Sequence, residues 1–149
     1  MSIDVERILQ ELETLPEYDT QIMLQYAGEN RNPFYGTGNL KGTKYWEYEY
    51  CKPLFEQLEY TNMLIDEFGM VRTRVMRMRP QTCYTYHKDH TKRLHIPLIT
   101  NENCMFIIED EIYRYPADGN YYIVDTTKKH TALNASFDER IHIVGCLHE

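Results

Sequence analysis

The sequence predicts a mainly β single domain with a helical front end. Two observations carry this reading. From Gly69 onward, short apolar and β-branched runs follow one another with turn signals between them. Before Gly69 there is a strong helical pattern and then a stretch rich in glycine and aromatics. The length of 149 residues fits one domain with a core of its own, divided here into a front end, 1–68, and a β core, 69–149.

The opening segment, 2–15, reads as an amphipathic helix. Val5, Ile8, Leu9 and Leu12 recur at helical spacing, and Glu6, Arg7, Gln10 and Glu11 fill the other face. Ser2 is the expected cap and Pro16 the expected stop. Such a helix packs its apolar stripe on the outside of a sheet. Residues 28–50 hold Pro33, Gly36, Gly38 and Gly42, then Tyr45, Trp46, Tyr48 and Tyr50, and read as loop. Their glycines lack the GxxxxGK[ST] spacing of a phosphate-binding loop. Residues 34–50 are expected to form a lid or a substrate wall. A short second helix is expected over 53–61, with Pro53 at its first position. Strands are expected at 71–79, 82–87, 93–100, 104–115, 121–125, 132–137 and 140–147. Several strands at this spacing suggest an antiparallel sandwich or barrel.

The net charge of −7 speaks against a general nucleic-acid footprint. Arg72, Arg74, Arg77 and Arg79 form a local basic strip, read here as outer-face salt bridges to the many acidic residues. The four cysteines form no CxxC pair, which excludes a zinc ribbon or thioredoxin motif. Without a secretory signal they are expected to be reduced thiols in the cytoplasm. No apolar run approaches the length of a membrane span.

The chemistry starts at Tyr86-His87-Lys88-Asp89. On a strand, residues two apart project from one face, so His87 and Asp89 can reach a common point. His130 opens a later strand, where antiparallel folding can bring it to the same point. Two histidines and a carboxylate leave other metal positions open, as in the facial triad of non-haem Fe(II) oxygenases.

Arg140 follows His130 by ten positions and shares a strand face with His142, while Ile141 and Ile143 share the other. An arginine facing the interior of a small barrel needs an anionic partner, because an unpaired buried charge is very costly. A dicarboxylate would supply one, gripped by two parallel hydrogen bonds. A salt bridge to Asp138 or Glu139 is the competing reading. Arg93 and His95 likewise share a face, opposite Leu94, Ile96 and Leu98. They suggest anion binding or, equally simply, salt bridges at a strand end.

The run Arg93-Leu94-His95-Ile96-Pro97-Leu98 resembles the R-x-H-[IV]-P-L signature of the aspartyl/asparaginyl β-hydroxylase family. His130 through Ser136, followed by Arg140-Ile141-His142, is similar to that family's H-x-x-x-N-x-S and R-[IL]-H segments. The resemblance covers roughly residues 70–147. It implies a double-stranded β-helix, or jelly roll of the cupin-like type, with Fe(II) as metal and 2-oxoglutarate and O₂ as co-substrates. It assigns His87, Asp89 and His130 to iron and Arg140 to the distal carboxylate of 2-oxoglutarate. Arg93, His95 and His142 fall near the co-substrate. The vertebrate members that hydroxylate aspartyl residues lack the carboxylate ligand. Asp89 makes this chain look more like bacterial and phage-like members with a full triad, although its spacing from His87 to Arg93 departs from theirs.

The activity so implied is hydroxylation of an amino-acid side chain, either in a protein (Asp, Asn or Pro) or in a free amino acid. Nucleic-acid and membrane partners are not expected. The alternatives are a cupin-type metal enzyme that does not use 2-oxoglutarate and a non-catalytic jelly-roll binding module. His90, His148, Lys128 and Lys129 are read as solvated residues.

Overall fold

The computed structural model describes residues 2–148. Helix α1 spans Val5–Leu12, with Asp4 rather than Ser2 as its cap: the Asp4 carboxylate accepts from the Arg7 backbone N–H at 3.1 Å. Ile8 is fully buried under it, worth roughly 2–3 kcal/mol by area. Strands β1 (Gln21–Met23), β2 (Gln25–Tyr26) and β3 (Lys52–Pro53) follow, with a 3₁₀ turn at Glu47–Glu49. Helix α2 spans Glu59–Glu67, six residues later than expected at its start. Pro53 does not begin it but ends β3, opposite Gln25. The first turn of α2 is held by Glu11, whose carboxylate accepts from the backbone N–H groups of Tyr60 and Thr61, both at 2.8 Å. Glu11 therefore joins the two helices instead of facing solvent.

The remaining strands are β4 (Met70–Met78), β5 (Thr82–Cys83), β6 (Arg93–Ile99), β7 (Cys104–Ile108), β8 (Glu111–Tyr113), β9 (Tyr122–Val124), β10 (His130–Asn134) and β11 (Arg140–Leu147). They divide between a five-stranded sheet, ordered β1-β4-β11-β6-β9, and a four-stranded sheet, ordered β5-β10-β7-β8, with every pairing antiparallel. This is a jelly roll. The expected strand 104–115 is a hairpin instead, turned at Glu109 and Asp110 with Glu109 at φ 53°. No Asn-Gly or Asp-Gly pair marks that turn in the sequence. The front end also contributes β1 to the larger sheet, from a segment to which the sequence pattern assigns no element.

The five-stranded sheet divides its residues by parity. Val75, Leu94, Ile96, Leu98, Ile141 and Ile143 point out and pack under the two helices. Met78 points between the sheets and meets Phe106, Ile108, Val124 and Ala132. One end of that inter-sheet space is filled by apolar side chains. The other opens as a cleft of about 1170 Å³.

Candidate active site

His130 is the first residue of β10 and pairs with His87 in an isolated antiparallel bridge. Asp89 is tied by its backbone N–H to the Thr126 carbonyl at 2.8 Å. The expected strand 82–87 stops at Cys83, so the two residues of the HxD pair do not converge by strand alternation. The bridge and the Thr126 bond bring them together instead. One ligand atom from each of His87, Asp89 and His130 lies within 4.8 Å of the others. The Asp89 carboxylate is 3.6 Å from Nε2 of His87 and 3.4 Å from Nε2 of His130.

Both rings are oriented from behind. Nδ1 of His87 lies 2.6 Å from the Thr85 carbonyl, and Nδ1 of His130 lies 2.9 Å from the Lys128 carbonyl. Each carbonyl accepts the Nδ1 proton and leaves Nε2 as a lone-pair donor toward the common point, the tautomer a metal needs. Burial would raise the Asp89 pKa. The His130 hydrogen bond and the Arg93 charge outweigh it and hold the carboxyl at about 2.

Arg93 is buried and fully engaged. It donates to Glu47 at 2.8 Å and to the Thr91 carbonyl at 3.1 Å, and lies 3.6 Å from Asp89. Glu47 also accepts from Thr91 at 2.7 Å and faces Arg72 at 3.5 Å. Its pKa is lowered: burial alone would raise it, and the Arg93 charge with these hydrogen bonds prevails. The sequence reading did not single out Glu47. A carboxylate inside an aromatic loop carries no motif, and its partners lie more than 20 residues away. The segment around it, from Gly38 to Tyr48, walls the cleft.

His95 and His142 stand side by side in the interior, Nδ1 to Nδ1 at 3.0 Å. Burial, then the Arg140 charge, pushes both well below the usual histidine pKa, so both are neutral and one donates to the other. His95 lines the cleft and His142 sits behind it.

Arg140 lines the cleft at 2% exposure. Among the described residues it makes no side-chain hydrogen bond and no ion pair, and its Nε is buried without a partner. The guanidinium carbon lies 5.7 Å from the Phe106 ring centre. The salt-bridge alternative does not form: Glu139 pairs with Arg77 at 3.2 Å. The corner leading to Arg140 is built by Asn134. Its side chain donates to the Met78 and Asp138 carbonyls at 3.1 and 2.8 Å and accepts from the Ser136 backbone N–H at 3.0 Å.

The basic strip divides by strand parity, which corrects half of the outer-face reading. Arg77 and Arg79 do face outward, toward Glu139 and Asp19. Arg72 and Arg74 are buried and line the cleft. Arg72 has φ 47° where the register between β4 and β11 shifts, and its side chain reaches the Gly36 carbonyl at 2.9 Å. His90 is exposed at the cleft rim. The cysteines are all free, Cys104 and Cys146 being buried. No helix among the described residues is long and apolar enough to cross a membrane.

Among solved structures, the chain is similar to a cupin domain from Bordetella pertussis, with 15% identity over 54% of this chain and 83% of that one, TM-score 0.47. It is also similar to a protein from Photorhabdus luminescens, with 18% identity over 52% of this chain and 62% of that one, TM-score 0.42. A third is a predicted oxalate decarboxylase from Thermotoga maritima, with 14% identity over 56% of this chain and 74% of that one, TM-score 0.41. No curated protein sequence matches significantly. The family model for aspartyl/asparaginyl beta-hydroxylase matches residues 4–147, helices and jelly roll alike, and the chain belongs to that family.

Proposed function

We propose that this protein is an Fe(II)- and 2-oxoglutarate-dependent dioxygenase that hydroxylates an amino-acid side chain. The observation that carries the reading is Arg140: a buried guanidinium without an anionic partner, opening on the same cleft as two imidazoles and a carboxylate. A buried cation is costly unless it is paired. A dicarboxylate held at one end beside the metal and at the other by Arg140 removes that cost.

His87, Asp89 and His130 would hold the iron. The donor set fits: two Nε2 atoms with their Nδ1 positions already bonded, and a carboxylate that stays ionised. When bound, iron with 2-oxoglutarate and O₂ supplies the oxidising power for C–H hydroxylation. The chain's own residues do the rest. Arg140 grips the distal carboxylate in two-pronged geometry. Neutral His95, fixed by His142, lends the co-substrate a donor or acceptor without adding charge. Glu47 and Thr91 hold Arg93 against Asp89 and so orient that carboxylate. The wall from Gly38 to Tyr48 limits water at the reacting centre. The substrate is an amino-acid unit, free or within a protein.

The test is iron content after anaerobic loading, with succinate release from 2-oxoglutarate measured alongside. Bound iron with 2-oxoglutarate-dependent succinate is the expected result. Iron without succinate would leave a cupin-type metal enzyme, and neither would leave a binding module.

A further inference from the structure

Arg140 is not the only guanidinium of the cleft without an acidic partner. Arg74 is 5% exposed and lines the same cleft. Its Nη1 donates to the Gln21 side-chain oxygen at 3.1 Å, and its Nε is buried without a partner. That Gln21 oxygen already accepts from the Gly38 backbone N–H at 2.9 Å. No carboxylate among the described residues lies within ion-pair distance of Arg74. The neighbouring charges do not provide for it: Glu47 takes Arg93 and Arg72, and Asp89 faces Arg93 and the two histidines. Once Asp89 ligates a metal, its charge is spoken for as well.

Arg74 and Arg140 address different parts of the cleft. Both lie on the inner face of the larger sheet, but Arg140 pairs with Met78 and Arg74 with Val144, four residues further along the ladder. At about 3.4 Å per residue that offset is roughly 14 Å. Their heads also diverge. The Arg140 guanidinium stands toward Phe106 of the smaller sheet, whereas that of Arg74 is held by Gln21 on the edge strand β1. Val144, the partner of Arg74, pairs on its other side with His95, and Arg93, two residues before His95 on β6, lies 3.6 Å from Asp89. Arg74 thus belongs to the metal end of the cleft, beside the wall that carries Trp46.

We propose that Arg74 recognises a carboxylate of the substrate and holds the neighbouring carbons at the metal end of the cleft. The substrate class is then a carboxylate-bearing amino-acid unit. This deepens the hydroxylase reading and rests on it for the identity of the second anion at Arg140. The carboxylate is either the α-carboxylate of a free amino acid or the side chain of an aspartyl residue. The recognition chemistry is the same.

The experiment is a binding titration on the whole chain, followed by calorimetry and by emission of Trp46, the single tryptophan. The probes are the common free L-amino acids with their carboxamides, and N-acetyl-aspartate amide with N-acetyl-asparagine amide. Each is titrated with and without saturating 2-oxoglutarate. The expected result is that at least one carboxylate probe binds and its neutral counterpart binds at least tenfold more weakly. Arg74→Gln should weaken that probe by about ten- to a hundredfold, the loss of one charge-assisted pair. Arg74→Lys should recover part of it. Preference for free acids identifies an α-carboxylate, and preference for the blocked aspartate identifies a side chain. No carboxylate probe binding, equal binding of acid and amide, or undiminished affinity in Arg74→Gln overturns the proposal. So does an Arg74→Gln chain that loses 2-oxoglutarate as severely as the probe, since Arg74 would then serve the co-substrate. The acid–amide comparison uses the natural chain and stands even if the variant does not fold. Failure of 2-oxoglutarate to bind defeats the hydroxylase reading alone, because the probes are also titrated without it.

Discussion

His87 and His130 face each other across an isolated antiparallel bridge, exchanging both backbone hydrogen bonds at 2.9 Å with ring centres 4.5 Å apart. The pairing brings two candidate ligand side chains from distant segments together through the backbone alone. His87→Ala or His130→Ala is therefore expected to abolish high-affinity Fe(II) binding and 2-oxoglutarate turnover while leaving the jelly roll intact. Metal analysis and far-ultraviolet circular dichroism on the same samples check this. Near-full activity in either variant would remove the triad assignment.

Arg140 carries the co-substrate reading and gives a separable prediction. One charge-assisted hydrogen bond to a carboxylate is worth roughly 1.5–3 kcal/mol, about ten- to a hundredfold in affinity. Arg140→Ala is expected to raise the apparent KM for 2-oxoglutarate by about that factor, with iron content unchanged. Arg140→Lys should restore only part, since it keeps the charge and loses the fork. An unchanged KM in Arg140→Ala would sink the assignment.

The jelly roll was legible because strand parity repeats along its longest strands. Arg93/His95 and Arg140/His142 turn inward, and Leu94, Ile96, Ile141 and Ile143 turn outward under the helices, as the alternation indicates. The same rule, applied to Arg72 and Arg74, points inward too. The many acidic residues made outer salt bridges the simpler account of the strip, and only Arg77 and Arg79 obey it. Glu47 was illegible for another reason. Its role exists only through contacts with Thr91, Arg93 and Arg72, and no local pattern encodes them. The HxD segment was legible as a pair of residues but not as backbone. A bridge and one carbonyl contact, not a strand, shape it.

Glu47→Gln tests whether the loop wall is coupled to the metal end. The substitution keeps the shape and one acceptor but removes the charge that faces Arg93 and Arg72. Two nearly buried guanidiniums then lose their shared counter-ion. Breaking such a pair costs about 3–5 kcal/mol, and a retained amide acceptor reduces that. A loss of about 2–3 kcal/mol in denaturant stability is expected on that basis, together with weaker iron binding as Arg93 shifts toward Asp89. Denaturant curves with iron titrations measure both. Unchanged stability would mean that the loop contributes no more than a surface ion pair.

The last prediction concerns pH. His95 and His142 are buried and neutral, and burial, then the charge of Arg140, disfavours their protonation. In the unfolded chain each titrates near the ordinary histidine value of about 6.5. Because the folded-state pKa is depressed, the unfolded chain binds more protons once the pH falls below that value. Stability is therefore level above about pH 7 and declines as pH drops through the unfolded pKa. Each histidine costs up to roughly 1.4 kcal/mol per pH unit below that point. Between pH 7 and 5.5 the pair is expected to remove about 2–3 kcal/mol. Denaturant midpoints across that interval give the slope, and His142→Gln, which cannot charge, should remove one histidine's share, about 1–1.5 kcal/mol between pH 7 and 5.5. Asp89 stays ionised across the interval, with a pKa of about 2. His130 works in the opposite direction: burial would lower its pKa, and its hydrogen bond to Asp89 raises it. It is common to both chains, so the difference between them isolates His142. A slope that His142→Gln leaves untouched would mean that the decline arises elsewhere and that His142 is not the neutral buried partner of His95.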